Sequence, residues 1–121
     1  MIDGIGQIAI RVRDAQRAKT FYQDVLGMKF LFQAGPSAFF DCGGIRLMLG
    51  PSETPEFDHA ASIIYYRVAD IDAAYADMKE RGASFRDAPH MVYKLGDVEG
   101  WMAFLDDTEG NTLALMSEKQ A

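Results

Sequence analysis

The sequence predicts an α+β chain assembled from two βαβββ modules in tandem, and three observations carry that prediction. Apolar residues alternate with period two at Ile8, Ile10 and Val12, and a second strand pattern covers Ser62 to Val68, so each half opens on a strand. An aspartate, an apolar stripe at helical spacing and a glycine then follow both times, reading as helix cap, body and stop: Asp14 to Gly27, and Asp70 to Gly82. Finally, Phe30 and Asp41 find counterparts in Phe85 and Asp107 when the halves are laid over one another.

Taken in order, Ile5 to Val12 is a half-buried strand with Gln7, Ala9 and Arg11 on the face opposite Ile8, Ile10 and Val12. Ala18, Phe21, Tyr22, Val25 and Leu26 form the stripe of an amphipathic helix. Met28 to Phe32, Ala38 to Asp41 and Ile45 to Leu49 are three short strands, the last pair joined through Cys42-Gly43-Gly44. Gly50 to His59, rich in Pro and acidic residues, reads as a linker. The second half repeats the order, with Ile71, Ala74, Tyr75 and Met78 as its helix stripe. Its spacing widens between Arg86 and Gly100, which predicts a longer hairpin pairing His90 to Leu95 with Trp101 to Leu105 around Gly96 to Gly100. The expected division is a single domain over 1–121, with module one at about 1–50, a linker at 51–60 and module two at about 61–118.

With 121 residues and 49% hydrophobic content, the chain can bury one domain's core. A formal net charge of −6 opposes the basic footprint that nucleic acid or an anionic bilayer requires, so neither is an expected partner. No apolar run reaches membrane-spanning length and the start lacks a signal-peptide pattern; together with the lone Cys42, this gives a cytoplasmic expectation. Each half is too small to be comfortable alone, so shared cores or a homodimer are expected.

The run Gln7-Ile8-Ala9-Ile10-Arg11-Val12-Arg13-Asp14, followed by Phe21-Tyr22 and Leu26-Gly27, resembles the opening motif of the vicinal oxygen chelate superfamily, which includes the glyoxalases, bleomycin resistance proteins and dioxygenases. Asp107-Thr108-Glu109-Gly110-Asn111 is similar to the turn of that superfamily's second module. The resemblance covers nearly the whole chain. It implies paired βαβββ modules forming a concave mixed sheet around a small-molecule site, and frequent dimerisation. It leaves the chemistry open, because such members include metal-dependent lyases, isomerases and dioxygenases alongside proteins that sequester antibiotics.

In the metal-dependent members that this chain resembles, ligands come from the first and last strands of each module, which here are Gln7, Met48, Ile63 and Ala114. Of these only Gln7 offers a donor suited to a hard divalent ion, and one neutral amide cannot offset the desolvation of such a charge. No resident metal or other cofactor is therefore expected, unless a displaced site recruits His59 or His90. The residues expected to contact a ligand are Gln7, Arg46, Met48, Tyr65, Arg67, His90, Trp101 and Ala114, with no catalytic residue assigned.

Arg11, Arg46 and Arg67 are aimed by alternation at one face, where guanidinium groups either grip an anionic ligand or pair with local Asp and Glu. Tyr65, Tyr93 and Trp101 either stack on a flat ligand or pack in the core. His90 reads as a structural histidine, a cavity hydrogen-bonding group or an acid–base catalyst. Asp106 and Asp107 point apart along a strand and are expected to shape a turn, while Cys42 is expected to be a structural thiol. The expected function is binding of an anionic or aromatic small molecule; an enzyme on the same fold and a dimeric interaction scaffold are the alternatives.

Overall fold

The computed structural model describes all residues, 1–121, as two compact units, Met1–Ala61 and Ser62–Ala121. Each carries a mixed sheet with few helices, the α+β arrangement that the repeat predicts.

Unit one contains strands β1 (Gln7–Arg11), β2 (Lys29–Ala34), β3 (Ser37–Cys42) and β4 (Ile45–Gly50) and helix α1 (Ala15–Thr20). The sheet order is β1-β4-β3-β2, with β1 parallel to β4 and the other pairs antiparallel. Asp14 caps α1 through a 3.0 Å bond from the Arg17 N–H to its carboxylate. The helix then loosens into a π turn over Phe21–Val25, where the Leu26 N–H bonds back to the Phe21 carbonyl, before Gly27 at φ +72 turns the chain. That wider turn lets Phe21 and Tyr22 both enter the core, where they meet edge to face at 5.8 Å. Beneath lie Ile10, Ala38, Phe40, Leu47 and Leu49, all at most 1% exposed, on the helix-facing side of the sheet.

Unit two repeats the plan with β5 (Ile64–Arg67), helix α2 (Ile71–Glu80), β6 (Ser84–Phe85), β7 (His90–Leu95), β8 (Val98–Asp106) and β9 (Thr112–Gln120). The order is β5-β9-β8-β6, with β5 parallel to β9, and β7 shares with β6 the remaining edge of β8. Asp70 caps α2 through the Ala73 N–H at 3.1 Å. Ile71, Ala74, Tyr75 and Met78 are the less exposed residues of α2, the stripe that the sequence predicts. The added hairpin is present, but its turn is tighter than the expected Gly96 to Gly100: Leu95 already pairs with Val98.

The aspartate turn is a structural device. Asp107 Oδ1 accepts hydrogen bonds from the N–H groups of Glu109 and Asn111, both at 2.8 Å, and Oδ2 accepts from the Asn111 side-chain amide at 2.9 Å. All three residues are buried, so these bonds satisfy groups that would otherwise be costly to bury. Asp106 points elsewhere, to an ion pair with Arg86 at 2.8 Å; that hydrogen bond first, then the carboxylate's charge, raises the guanidinium pKa.

Candidate functional site

Period-two alternation leaves one face of each sheet without a helix, and the register fixes which residues share it. In unit one, Gln7 stands opposite Arg46, and Ala9 opposite Met48, which in turn is opposite Phe39. The three expected ligand contacts of this unit are brought together: the Arg46 Nε donates to Gln7 Oε1 at 2.9 Å, and Gln7 Nε2 donates to Met48 Sδ at 3.7 Å. The Arg46 guanidinium also lies 5.5 Å from the Phe39 ring centroid, and Phe39 stacks on Phe32 at 4.6 Å. Sequence reasoning left out Phe32 and Phe39, although Phe39 sits between Ala38 and Phe40 with the opposite parity, which already assigns it to the helix-free face.

Residues 51–60, expected as a linker, belong with Ala61 to unit one and help line a cavity of about 350 Å³. Its lining combines sheet residues Ala9, Arg11 and Met48 with Glu53, Phe57 and His59 from the returning segment. Within that segment a single 3₁₀ turn, Pro55–Phe57, is held by a 3.1 Å bond from the Ser52 hydroxyl to the Phe57 carbonyl. Asp58 reaches back to Arg11, with Oδ1 3.3 Å from Nη1. His59 bonds locally, its Nδ1 3.0 Å from the Ala60 carbonyl. No sequence signal announces this cavity, because it depends on where the segment packs and not on its own periodicity.

In unit two, Tyr65 is opposite Ala114, which is opposite Phe104 on its other side. The two rings meet edge to face at 5.9 Å across the small residue between them, and Ala114 is fully buried. A second row runs Arg67, Met116, Met102, His90, so Arg67 and His90 stand three strand spacings apart, about 14 Å. The His90 Nδ1 is 3.1 Å from the Ala88 carbonyl and 3.4 Å from Asp87, contacts that fix its ring on its own loop. Ile63 precedes β5 and is exposed.

Trp101 requires a correction to the expected aromatic grouping. Along β8 it shares parity with the buried Ala103 and Leu105, hence the helix side, whereas Tyr65 and Tyr93 belong to the other face. Lys119 caps the Trp101 ring at 3.9 Å while pairing with Asp72 of α2 at 2.6 Å, and the indole N–H donates to Glu99 at 3.0 Å. The alternation over Trp101 to Leu105 carried that signal.

Nowhere do three His, Cys, Asp or Glu side chains converge as a metal-binding group. The inherited ligand positions supply an amide and a thioether in unit one, Gln7 and Met48, and hydrocarbon in unit two, Ile63 and Ala114. That donor set does not fit a hard divalent ion. Cys42 is half-buried, and burial first, then the charge of Asp41, pushes its thiol pKa up, away from the reactive thiolate. No helix is long and apolar enough to cross a membrane.

Comparison with known proteins gives these features a lineage. The sequence model of the family described as "Glyoxalase/Bleomycin resistance protein/Dioxygenase superfamily" matches residues 4–115. A solved member of that superfamily from Sphaerobacter thermophilus superposes with a TM-score of 0.80 at 24% identity, covering 95% of this chain and 97% of that one. TnmS3, an antibiotic binding protein from Streptomyces sp. CB03234, superposes at 0.78 with 26% identity, covering 94% of each chain. Metallothiol transferase FosB of Staphylococcus haemolyticus is 32% identical over 75 residues, 60% of this chain and 54% of that protein. The chain thus spans about half the length of the curated relatives first matched.

Proposed function

Because the chain belongs to the Glyoxalase/Bleomycin resistance protein/Dioxygenase superfamily, we propose that it binds a small organic molecule without a resident metal ion, on the helix-free face of unit one. The observation that carries this reading is the use made of Gln7. Its amide oxygen accepts from Arg46 and its amide nitrogen is turned to Met48, so the one inherited donor is tied to neighbouring side chains beside a cavity walled by Ala9 and Met48. A partly apolar cavity with a few placed polar groups is the common form of a small-molecule site. The likeness to an antibiotic binding protein over 94% of both chains supports the same reading.

Elemental analysis after dialysis against trace divalent ions tests it, together with native mass spectrometry against a panel of aromatic acids and antibiotics. The expected result is less than stoichiometric metal and ligand adducts that survive chelation. One Zn, Ni, Mn or Fe per chain, lost in Gln7→Ala, overturns the proposal.

An enzyme on the same fold is the second reading, favoured by the partial likeness to a metallothiol transferase. It requires a metal-dependent thiol transfer or related turnover, which the same chelation experiment separates from simple binding. The proposal includes a homodimer, on the ground that each half is small for an independent core; light scattering across micromolar concentrations checks it, and a strictly monomeric, stably folded species ends it.

A further inference from the structure

The returning segment brings its own carboxylate to the cavity's guanidinium. Arg11 sits on β1 with its side chain only 14% exposed, while Asp58, which pairs with it, is 54% exposed on a short loop whose neighbours Pro55, Glu56 and Phe57 are all exposed. A guanidinium held in a partly apolar pocket needs anionic or hydrogen-bonding partners near it, and Asp58 supplies a carboxylate from an exposed stretch. Asp58 meets the guanidinium with Oδ1 3.3 Å from Nη1, longer than a strong charge-assisted bond, where a ligand carboxylate can offer both oxygens to the planar fork. Arg11 stands between two spaces: Asp58 meets it from an adjoining groove lined also by Arg13, Thr54 and Pro55. On the cavity side Ala9, Met48 and Phe57 offer an apolar bed, and Glu53, shared by both, adds a negative charge that disfavours a dianion. At about 350 Å³ the cavity is at the small end of ligand pockets.

We infer that Arg11 is the anchor for a small organic monocarboxylate with an apolar body, and that Asp58 is an internal stand-in for that carboxylate, displaced when the ligand binds. The inference rests on the proposed binding function and names its ligand class and its gate. Binding exchanges one carboxylate for another, so the returning segment loosens as the ligand enters.

Calorimetric titration with 2-naphthoate and its neutral isostere 2-naphthamide tests this on the full chain, as wild type, Asp58→Asn and Arg11→Gln, with hydrogen exchange read over residues 51–61. Wild type should prefer the acid by about ten-fold or more, the scale of a charge-assisted hydrogen bond. Asp58→Asn should tighten the acid several-fold and leave the amide unchanged, because the internal competitor is gone. Arg11→Gln should erase the preference, and exchange over 51–61 should quicken with the acid alone. Asp58→Asn binding the acid no more tightly than wild type overturns the stand-in, and Asp58 is exposed enough for that variant to keep the fold. Equal binding of acid and amide by wild type overturns the inference and leaves organic-ligand binding standing. No binding of either probe by any folded variant overturns this inference, while the proposed function is then judged by its own panel and metal content.

Discussion

The helix-free faces of the two units are built on the same strand order and present different chemistry. In unit one, the row through Ala9, Met48, Phe39 and Phe32 keeps small and flexible groups at the β1 end, beside the cavity under residues 51–61. In unit two, the corresponding row through Tyr65, Ala114 and Phe104 is closed by two rings that meet over the alanine. The repeat therefore conserves a scaffold and not a site: the strands dictate which residues are neighbours, and the identity of two or three of them decides whether a cavity or a covered patch results.

The largest effect that can break this comparison lies beneath the faces, where the units should behave alike. Ile10 is 1% exposed in unit one, and Leu105 is fully buried in unit two, both on the helix side. Truncation of either to alanine removes buried methyl groups and leaves a void, at an expected cost of about 2–5 kcal/mol in urea unfolding. By contrast, Arg67→Ala on the helix-free face should change stability by less than about 0.5 kcal/mol. A loss for Arg67→Ala as large as that for Ile10→Ala would mean that the face assignment by alternation is wrong.

A smaller effect sharpens the comparison at two strand glycines. A Cβ on Gly100 would lie 2.0 Å from the Tyr93 ring, and one on Gly50 would lie 2.2 Å from the Ser37 hydroxyl. Both glycines admit a cross-strand side chain, one a ring and the other a hydroxymethyl group. Gly100→Ala should cost about 1–3 kcal/mol by overpacking, and Tyr93→Ala in the same chain should recover much of it. A fully additive double variant would show that the ring does not lie where Gly100 permits it.

Much of this architecture was legible in the sequence because it is set locally. Asp14 and Asp70 accept the cap bonds expected of them, and Gly27 and Gly82 take the positive φ that a left-handed stop requires. Asp107 anchors its turn, as a short side chain followed by Gly110 and Asn111 suggests. The site was legible only in part. Gln7, Arg46 and Met48 meet because parallel register follows from the first and last strands of one module. The cavity was hidden because a Pro- and acid-containing segment without periodicity carries no sign of the surface it returns to. Trp101 was misplaced for a different reason: aromatic character suggested a ligand platform, while the parity of β8 already grouped it with Ala103 and Leu105.

The smallest expected effect separates the two cation–ring pairs. In unit two, Lys119 lies 3.9 Å over Trp101 and 2.6 Å from Asp72, so one ammonium joins β9 and β8 to the first turn of α2. In unit one, Arg46 lies 5.5 Å from Phe39 and bonds Gln7, which links strands of one sheet and reaches no helix. Replacing Lys119 with methionine keeps the apolar stem over the indole and removes the charge, so the loss isolates the cation–ring attraction and the partly exposed ion pair. Each is worth up to about 1 kcal/mol, and side-chain ordering and solvent screening reduce both. The expected loss is thus about 0.5–1 kcal/mol, with a shift in the emission of Trp101, the single tryptophan. Arg46→Met should cost less in stability, because its partners are already paired across the ladder, and should act instead on ligand affinity. Urea unfolding of the two variants decides it: an Arg46→Met loss equal to or greater than that of Lys119→Met would make the unit-one cation a structural tie and remove it from the proposed binding face.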